Sequence, residues 1–107
     1  MKTWHVDITD SAEKDIDGIH TYIAEKLIEP VTAWNQVERI YDGIFTLDKM
    51  PERCPLLQEE PWRAMGLRKL TVDNYLVIFE LQESVDIVSI IAVVYSKRDL
   101  TAIEFDV

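Results

Sequence analysis

The run VDIVSIIAVVY at residues 85–95 constrains the fold of this chain more than any other segment. It is rich in Val and Ile, which favours a strand, and apolar residues occupy both faces of that strand. A strand of this kind belongs at the centre of a sheet that is covered on both sides. The alternation predicts one face with Val85, Ile87, Ile91 and Val93, and another with Val88, Ile90, Ala92 and Val94.

Three more segments have the pattern of strands. Residues 2–8 alternate between apolar and polar side chains, which predicts a half-buried strand. Leu67–Val72 and Tyr75–Leu81 flank Asp73-Asn74, a two-residue turn signal in which both residues tolerate left-handed geometry. Gln82-Glu83-Ser84 predicts a second turn before the apolar run.

Two amphipathic helices are predicted between the first strand and the others. Asp10-Ser11-Ala12-Glu13 resembles a capping box with Asp10 as the N-cap, and a helix of about 17 residues follows. Glu29-Pro30 ends that helix, and Pro30 can open the next, which runs to about Lys49. The predicted core residues of the second helix are Ala33, Trp34, Val37, Ile40, Tyr41, Ile44 and Leu47.

The element order is therefore β-α-α-β-β-β, an α+β fold in a single domain over residues 1–107. A two-helix antiparallel hairpin is expected to cover an antiparallel sheet whose last three strands form a meander. Trp4 and Trp34 are expected in the core. Three prolines between Pro51 and Pro61 mark an irregular loop between the helical half and the strand-rich half. The sequence does not define the structure of the tail, residues 96–107.

Composition excludes several functions. The net charge of −9 argues against a general nucleic-acid coat, although it leaves room for a local basic site. Cys54 is the single cysteine, and no spacing suggests a metal site or a nucleotide-binding loop, so no cofactor is predicted. The N-terminus lacks the apolar stretch of a signal peptide, and no segment is long enough to span a bilayer. We expect a soluble cytoplasmic protein without membrane contact.

Positive charge is concentrated in the loop and the strands of this acidic chain. Five of the eleven lysine and arginine residues stand out there, namely Arg63, Arg68, Lys69, Lys97 and Arg98. Tyr75 and Tyr95 are predicted in the same sheet. Arginine forks and phenolic hydroxyls suit a phosphate or an acidic partner. The alternative is scattered, solvated charge.

Trp62 lies in the proline-rich loop, where it belongs to no apolar period of a helix or a strand. Either it pins the loop to the sheet, or it is an exposed anchor for a partner. His5 and His20 fall on different elements, and Cys54 has no histidine near it in sequence, so we expect structural roles for all three.

Together these motifs make the chain resemble the RelE/ParE superfamily, the toxins of bacterial type II toxin–antitoxin modules, often labelled plasmid stabilisation proteins. The resemblance covers about the whole chain. The segments that carry it are Met50-Pro51-Glu52-Arg53, Pro61-Trp62-Arg63, Gly66-Leu67-Arg68, residues 72–77 (VDNYLV) and residues 94–99 (VYSKRD).

This resemblance implies a growth-inhibiting toxin with one of two mechanisms. RelE-like members are ribosome-dependent ribonucleases that cut mRNA without a metal, by attack of the 2′-hydroxyl on the adjacent phosphate. ParE-like members bind and inhibit DNA gyrase. Both imply a cognate antitoxin that wraps the toxin with a helix or an added strand, and we expect its acidic or apolar segment near Arg68, Lys69 and Arg98.

Residue by residue, the resemblance makes Arg68 a candidate phosphate or partner contact. Lys97 and Arg98 match the basic pair that ends the last strand, and Tyr95 stands near a position where many members carry a histidine. Leu76 follows Tyr75 where many RelE-like nucleases have an arginine.

Within the tail, residues 99–105 lack the tyrosine that those nucleases place after the basic pair. These departures favour ParE-like binding of a protein target, and they equally favour a non-toxic member that mainly binds the antitoxin. A ribonuclease remains the alternative, with Arg68, Tyr95, Lys97 and Arg98 as its catalytic residues, and Trp62, Arg63 and Lys69 beside Arg68 in RNA or partner binding. A non-toxic, antitoxin-binding member is the third possibility.

Overall fold

The computed structural model describes residues 2–105 and confirms the predicted α+β order. One four-stranded sheet is covered by a helical hairpin. A π-helical turn, Tyr22–Lys26, continues the first helix, so the helical segment is 17 residues long, as its periodicity predicts. The elements are β1 (His5–Ile8), α1 (Asp10–Thr21), α2 (Pro30–Phe45), β2 (Arg68–Val72), β3 (Tyr75–Gln82) and β4 (Ile87–Tyr95).

The sheet order is β1-β4-β3-β2, and β4 is an inner strand as predicted. Val88 through Val94 are all buried. β2, β3 and β4 form the expected antiparallel meander, but β1 lies parallel to β4. The antiparallel arrangement expected for the whole sheet is therefore wrong for β1. A strand pair joined by a long connection has no tight turn to force the antiparallel direction.

A β-bulge changes the predicted faces of β4. Ile78 pairs with Ala92 and Phe79 pairs with Ile90, so Ile91 is an extra residue on β4. Val93 consequently packs in the helix-side core, whereas Ile91, Ala92 and Val94 pack on the opposite face. The grouping of Val93 with Ile91 is wrong because the bulge reverses the alternation at that point. For the same reason the predicted face of Val88, Ile90, Ala92 and Val94 is wrong, since its first two members lie on the helix side and its last two on the other.

Separate cores cover the two faces of the sheet. On the helix side, Ile16, Ile40 and Ile44 pack with Phe79, and Trp4 is buried as predicted, 3% exposed. On the other side, the proline-rich loop and the tail pack over the second face of the sheet. That second core contains Leu57, Leu67, Leu76, Ile78, Leu100 and Phe105.

The first helix begins one residue earlier than the capping box suggests. Thr9 is the N-cap, because its Oγ1 accepts a hydrogen bond from the Ala12 amide at 3.2 Å. The same hydroxyl donates to the Ile90 carbonyl at 2.8 Å, which holds Thr9 at the end of β1. Asp10 is therefore the first helical residue and not the cap, although its carboxylate still stands favourably in the first turn.

Trp34 is not a core residue, since it is 65% exposed. Ala33, Val37 and Ile40 define the buried face of α2. One residue turns a helix by about 100°, so Trp34 falls at the edge of that face and its ring projects outward. Pro30 opens α2 as predicted, at the first helical position.

Trp62 pins the proline-rich loop to the tail. Its indole Nε1 donates to the Leu100 carbonyl at 3.2 Å, and its ring lies edge-on to Phe105 with 4.9 Å between centroids. Trp62 is half-buried, which favours the pinning interpretation over the exposed anchor. In the part of the chain that the structure describes, no helix is long and apolar enough to cross a membrane.

Candidate binding groove

A groove of about 800 Å³ lies where α1, α2 and the paired ends of β3 and β4 meet. Tyr75 opens β3 and is the cross-strand partner of Tyr95, the last residue of β4. The π-helical turn forms the opposite wall. We refer to this site as the groove, and its polar lining residues include Lys14, Asp15, Tyr22, Gln36, Tyr75, Tyr95 and Arg98.

Three tyrosines meet in the groove. Tyr75 and Tyr95 are arranged edge to face with 6.1 Å between ring centroids. Burial raises the pKa of the Tyr75 hydroxyl, and the neighbouring phenols of Tyr95 and Tyr22 raise it further. Tyr75 therefore stays protonated at neutral pH and can both donate and accept a hydrogen bond. Tyr22 and Tyr95 are 55% and 46% exposed, so a partner can reach both rings.

Asp15 and Arg98 form the end of the groove near the tail. Oδ2 of Asp15 accepts a hydrogen bond from the Val93 amide at 3.0 Å, on a part of β4 that extends beyond the end of β1. Arg98 lines both the groove and a small cavity of about 190 Å³ that reaches Phe105. Arg98 is thus an exposed cation between the tyrosines and the tail.

Replacing Asp15 with asparagine should stabilise the protein at neutral pH. Burial raises the pKa of this carboxyl, against the opposing effects of the Val93 amide and Arg98. A raised pKa means that ionisation of Asp15 opposes folding. The resulting loss of unfolding free energy is absent below the unfolded-state pKa and is fully present once the pH has risen through the folded-state pKa. Asn keeps a carbonyl acceptor for Val93. Urea unfolding of both proteins at about pH 3 and about pH 7 measures the effect.

The difference in unfolding free energy should favour the Asp15→Asn variant at the higher pH and shrink at the lower one. A variant that is less stable than wild type at neutral pH would show that the charged carboxylate strengthens folding here.

Arg68 does not join this site. Its Nη1 donates to the carbonyls of Cys54 and Glu52, at 2.6 and 3.3 Å, and so holds the proline-rich loop against β2. Arg68 pairs with Phe79, which pairs with Ile90 near the middle of β4. Lys97 and Arg98 follow the end of that strand, so the structure separates them from Arg68.

Two other predicted site residues, Lys69 and Arg63, also lie outside the groove. Lys69 projects to the side of the sheet opposite Leu70 and Val72, which pack beneath the helices. Arg63 is exposed in the loop, where its amide donates to the Glu59 carbonyl. Among the predicted site residues, only Arg98 and Tyr95 therefore line the groove.

Several groove residues were not predicted, because helices contribute them. Tyr22 and Asp15 have no sequence signal that ties them to Tyr75. Gln36 carries a weak one: it is a polar residue within the apolar stripe of α2. Its Nε2 and Arg39 Nε both donate to Oδ2 of Asp73, at 2.9 and 2.7 Å.

These bonds lower the pKa of Asp73 and fix α2 to the turn that precedes Tyr75. They therefore position one wall of the groove. Residues 2–105 contain no group of three His, Cys, Asp or Glu side chains arranged to hold a metal ion.

Solved structures of two bacterial toxin–antitoxin systems share this fold. A structure of the chromosomal ParDE system from P. aeruginosa is 20% identical, has a TM-score of 0.73, and the match covers 89% of this chain and 98% of that one. The RelBE2 toxin–antitoxin complex from Mycobacterium tuberculosis is 17% identical, with a TM-score of 0.63 and coverage of 87% and 98%.

The chain belongs to the ParE toxin family of type II toxin–antitoxin systems, parDE, whose family model matches residues 6–100. It is therefore a toxin of a type II system, and the superfamily resemblance seen in the sequence is confirmed. No curated protein matches the sequence.

Proposed function

We propose that this toxin inhibits growth by binding DNA gyrase, that Tyr95 and Arg98 are its main contacts with that target, and that a cognate antitoxin neutralises it. Membership of the ParE family supports a protein target. Exposed tyrosine and arginine side chains are the residue types that dominate the energy of protein interfaces. Tyr95 and Arg98 present both at one end of the groove.

The observation that carries this proposal is the separation of the basic residues. RNA cleavage develops negative charge on one phosphate, which several donors must stabilise together. Here Arg68 donates to the carbonyls of Glu52 and Cys54, away from Arg98. Leu76, which stands where many RelE-like nucleases have an arginine, is 6% exposed and packs in the second core.

A supercoiling assay with purified gyrase and no ribosomes tests the proposal. The wild-type toxin should inhibit supercoiling, and Arg98→Ala should raise the inhibitory concentration about 10-fold or more, as loss of an interface hot spot does. Lys49→Ala is the matched control and should inhibit like wild type, because Lys49 is an exposed cation beyond the C-terminal end of α2, whereas the groove is lined by the first half of that helix. Absence of inhibition at a large molar excess of toxin would exclude gyrase as the target.

A ribosome-dependent ribonuclease is the second candidate, because Tyr95, Lys97 and Arg98 lie together at the end of β4. Mapping of mRNA 5′ ends after induction distinguishes the two. New cuts that require ribosomes and disappear in the Arg98→Ala variant would establish the nuclease. Expression without growth arrest would instead indicate the third possibility, a non-toxic antitoxin-binding protein.

A further inference from the structure

Helix α2 carries a second apolar stripe beside its buried face, and of this stripe only Tyr41 also packs against the core. Its members are Val31, Trp34, Tyr41 and Phe45, and with Glu38 they repeat at intervals of three and four residues. Val31, Trp34 and Phe45 are 72%, 65% and 55% exposed, and Tyr41 is half-buried. This spacing is the pattern by which one helix packs against another. We refer to these five residues as the outer stripe.

The outer stripe is a continuous surface. At about 100° per residue, it is rotated from the buried face of α2 by roughly a third of a turn. Tyr41 stacks on Phe45 with 6.4 Å between ring centroids, and Trp34 meets His20 of α1 edge-on at 4.5 Å. Its ends are 14 helical steps apart, a length of about 21 Å at ~1.5 Å per step. That length accommodates about four turns of a partner helix.

Carboxylates line this surface. Glu13 and Asp17 of α1 lie near Tyr41: burial is the main cause of the raised pKa of that tyrosine, and these two charges add to it. Glu38 lies within the outer stripe, and Asp42 follows it by one turn on α2. All four carboxylates are exposed, and within residues 2–105 none of them forms an ion pair.

We propose that the outer stripe and its four carboxylates dock an amphipathic helix of the antitoxin that carries lysine or arginine beside its apolar residues. An apolar stripe selects a helix by packing, and flanking charges of one sign select a partner of the opposite charge. A second copy of this chain is a poor occupant, because it would bring the same carboxylates together. The inference rests on the antitoxin partner proposed above. The helix inferred here is basic and lies on α2, whereas the antitoxin segment expected from the sequence is acidic or apolar and lies near Arg68.

Binding of the full-length chain to the antitoxin encoded beside it tests this docking surface. Asp17→Lys/Glu38→Lys should weaken the complex about 30-fold or more, and Trp34→Ser should have a similar effect. The matched control is Glu52→Lys/Glu83→Lys, which makes the same change in net charge at exposed positions away from the hairpin and should change the affinity less than about 3-fold. Because all the replaced side chains are exposed, circular dichroism should show an unchanged fold.

The outcomes separate the two proposals. If wild-type toxin does not bind the antitoxin at all, the proposed partnership fails and this inference fails with it. If wild type binds but the charge reversal leaves the affinity unchanged or increases it, the basic helix is wrong while the partnership stands.

A photo-reactive phenylalanine at position 34 identifies the occupant directly. Cross-links to an antitoxin segment with net positive charge support the proposal. Cross-links to a net negative segment, or to a second copy of this chain, overturn it.

Discussion

Replacing Tyr95 and Arg98 together with alanine should restore growth to cells that express this toxin without its antitoxin. Both side chains are exposed and line the groove. If each supplies a hot-spot contact worth about 2 kcal/mol, the two substitutions weaken target binding about 1000-fold. Colony counts after induction measure the effect, and immunoblotting shows that the variant accumulates as wild type does.

The cost of this double substitution to the fold should be small. Tyr95 contributes a cross-strand aromatic pair with Tyr75, worth about 0.2–1 kcal/mol. Lys49→Ala is again the control and should remain toxic. Full growth arrest by the double variant, at normal expression, would place the toxic contacts outside the groove.

Gly43→Ala should destabilise the protein, whereas Gly18→Ala should stabilise it. A Cβ atom at Gly43 would lie 2.7 Å from Cγ2 of Val72 and 3.5 Å from Cδ2 of Leu70, because α2 approaches β2 closely there. Val72 is β-branched and cannot easily rotate away, so we expect a loss of about 1–3 kcal/mol. A Cβ at Gly18, in the interior of α1, has no neighbour within 4 Å.

Alanine at position 18 should therefore add about 0.5–1 kcal/mol through helix propensity alone. Urea unfolding of wild type and the two variants measures both changes. The same substitution, glycine to alanine, should lower the free energy of unfolding at position 43 and raise it at position 18. Equal stability of Gly43→Ala and wild type would mean that α2 can move away from β2 without loss of packing.

Local patterns in the sequence are sufficient for the element order of this fold. The two apolar faces of residues 85–95 identify the inner strand, and the 3.6-residue period identifies both helices. The wrong predictions concern features that tertiary contacts determine, namely strand register, the helix cap and the exposure of one side chain. The bulge at Ile91 needs no unusual residue, and Thr9 becomes the cap because the Ile90 carbonyl holds it. Trp34 differs from a core residue by only one position along the helix.

The candidate site was less predictable than the fold. Tyr95 and Arg98 stand in a recognisable motif at the end of β4, and the structure places both in the groove. Arg68 is equally prominent in the sequence, yet it is engaged by backbone carbonyls of the loop. Asp15 and Tyr22 reach the groove from the helical hairpin, and no sequence spacing relates residues so far apart.

The pairing of β1 with β4 sets an order of events during synthesis of the chain. His5 lies opposite Ile87, so the first strand waits unpaired until the last one leaves the ribosome. The helical hairpin also emerges before β3 and β4, which later supply Tyr75, Tyr95 and the sheet face on which both helices pack. A nascent chain can therefore present the surface that we propose for the antitoxin before its groove exists.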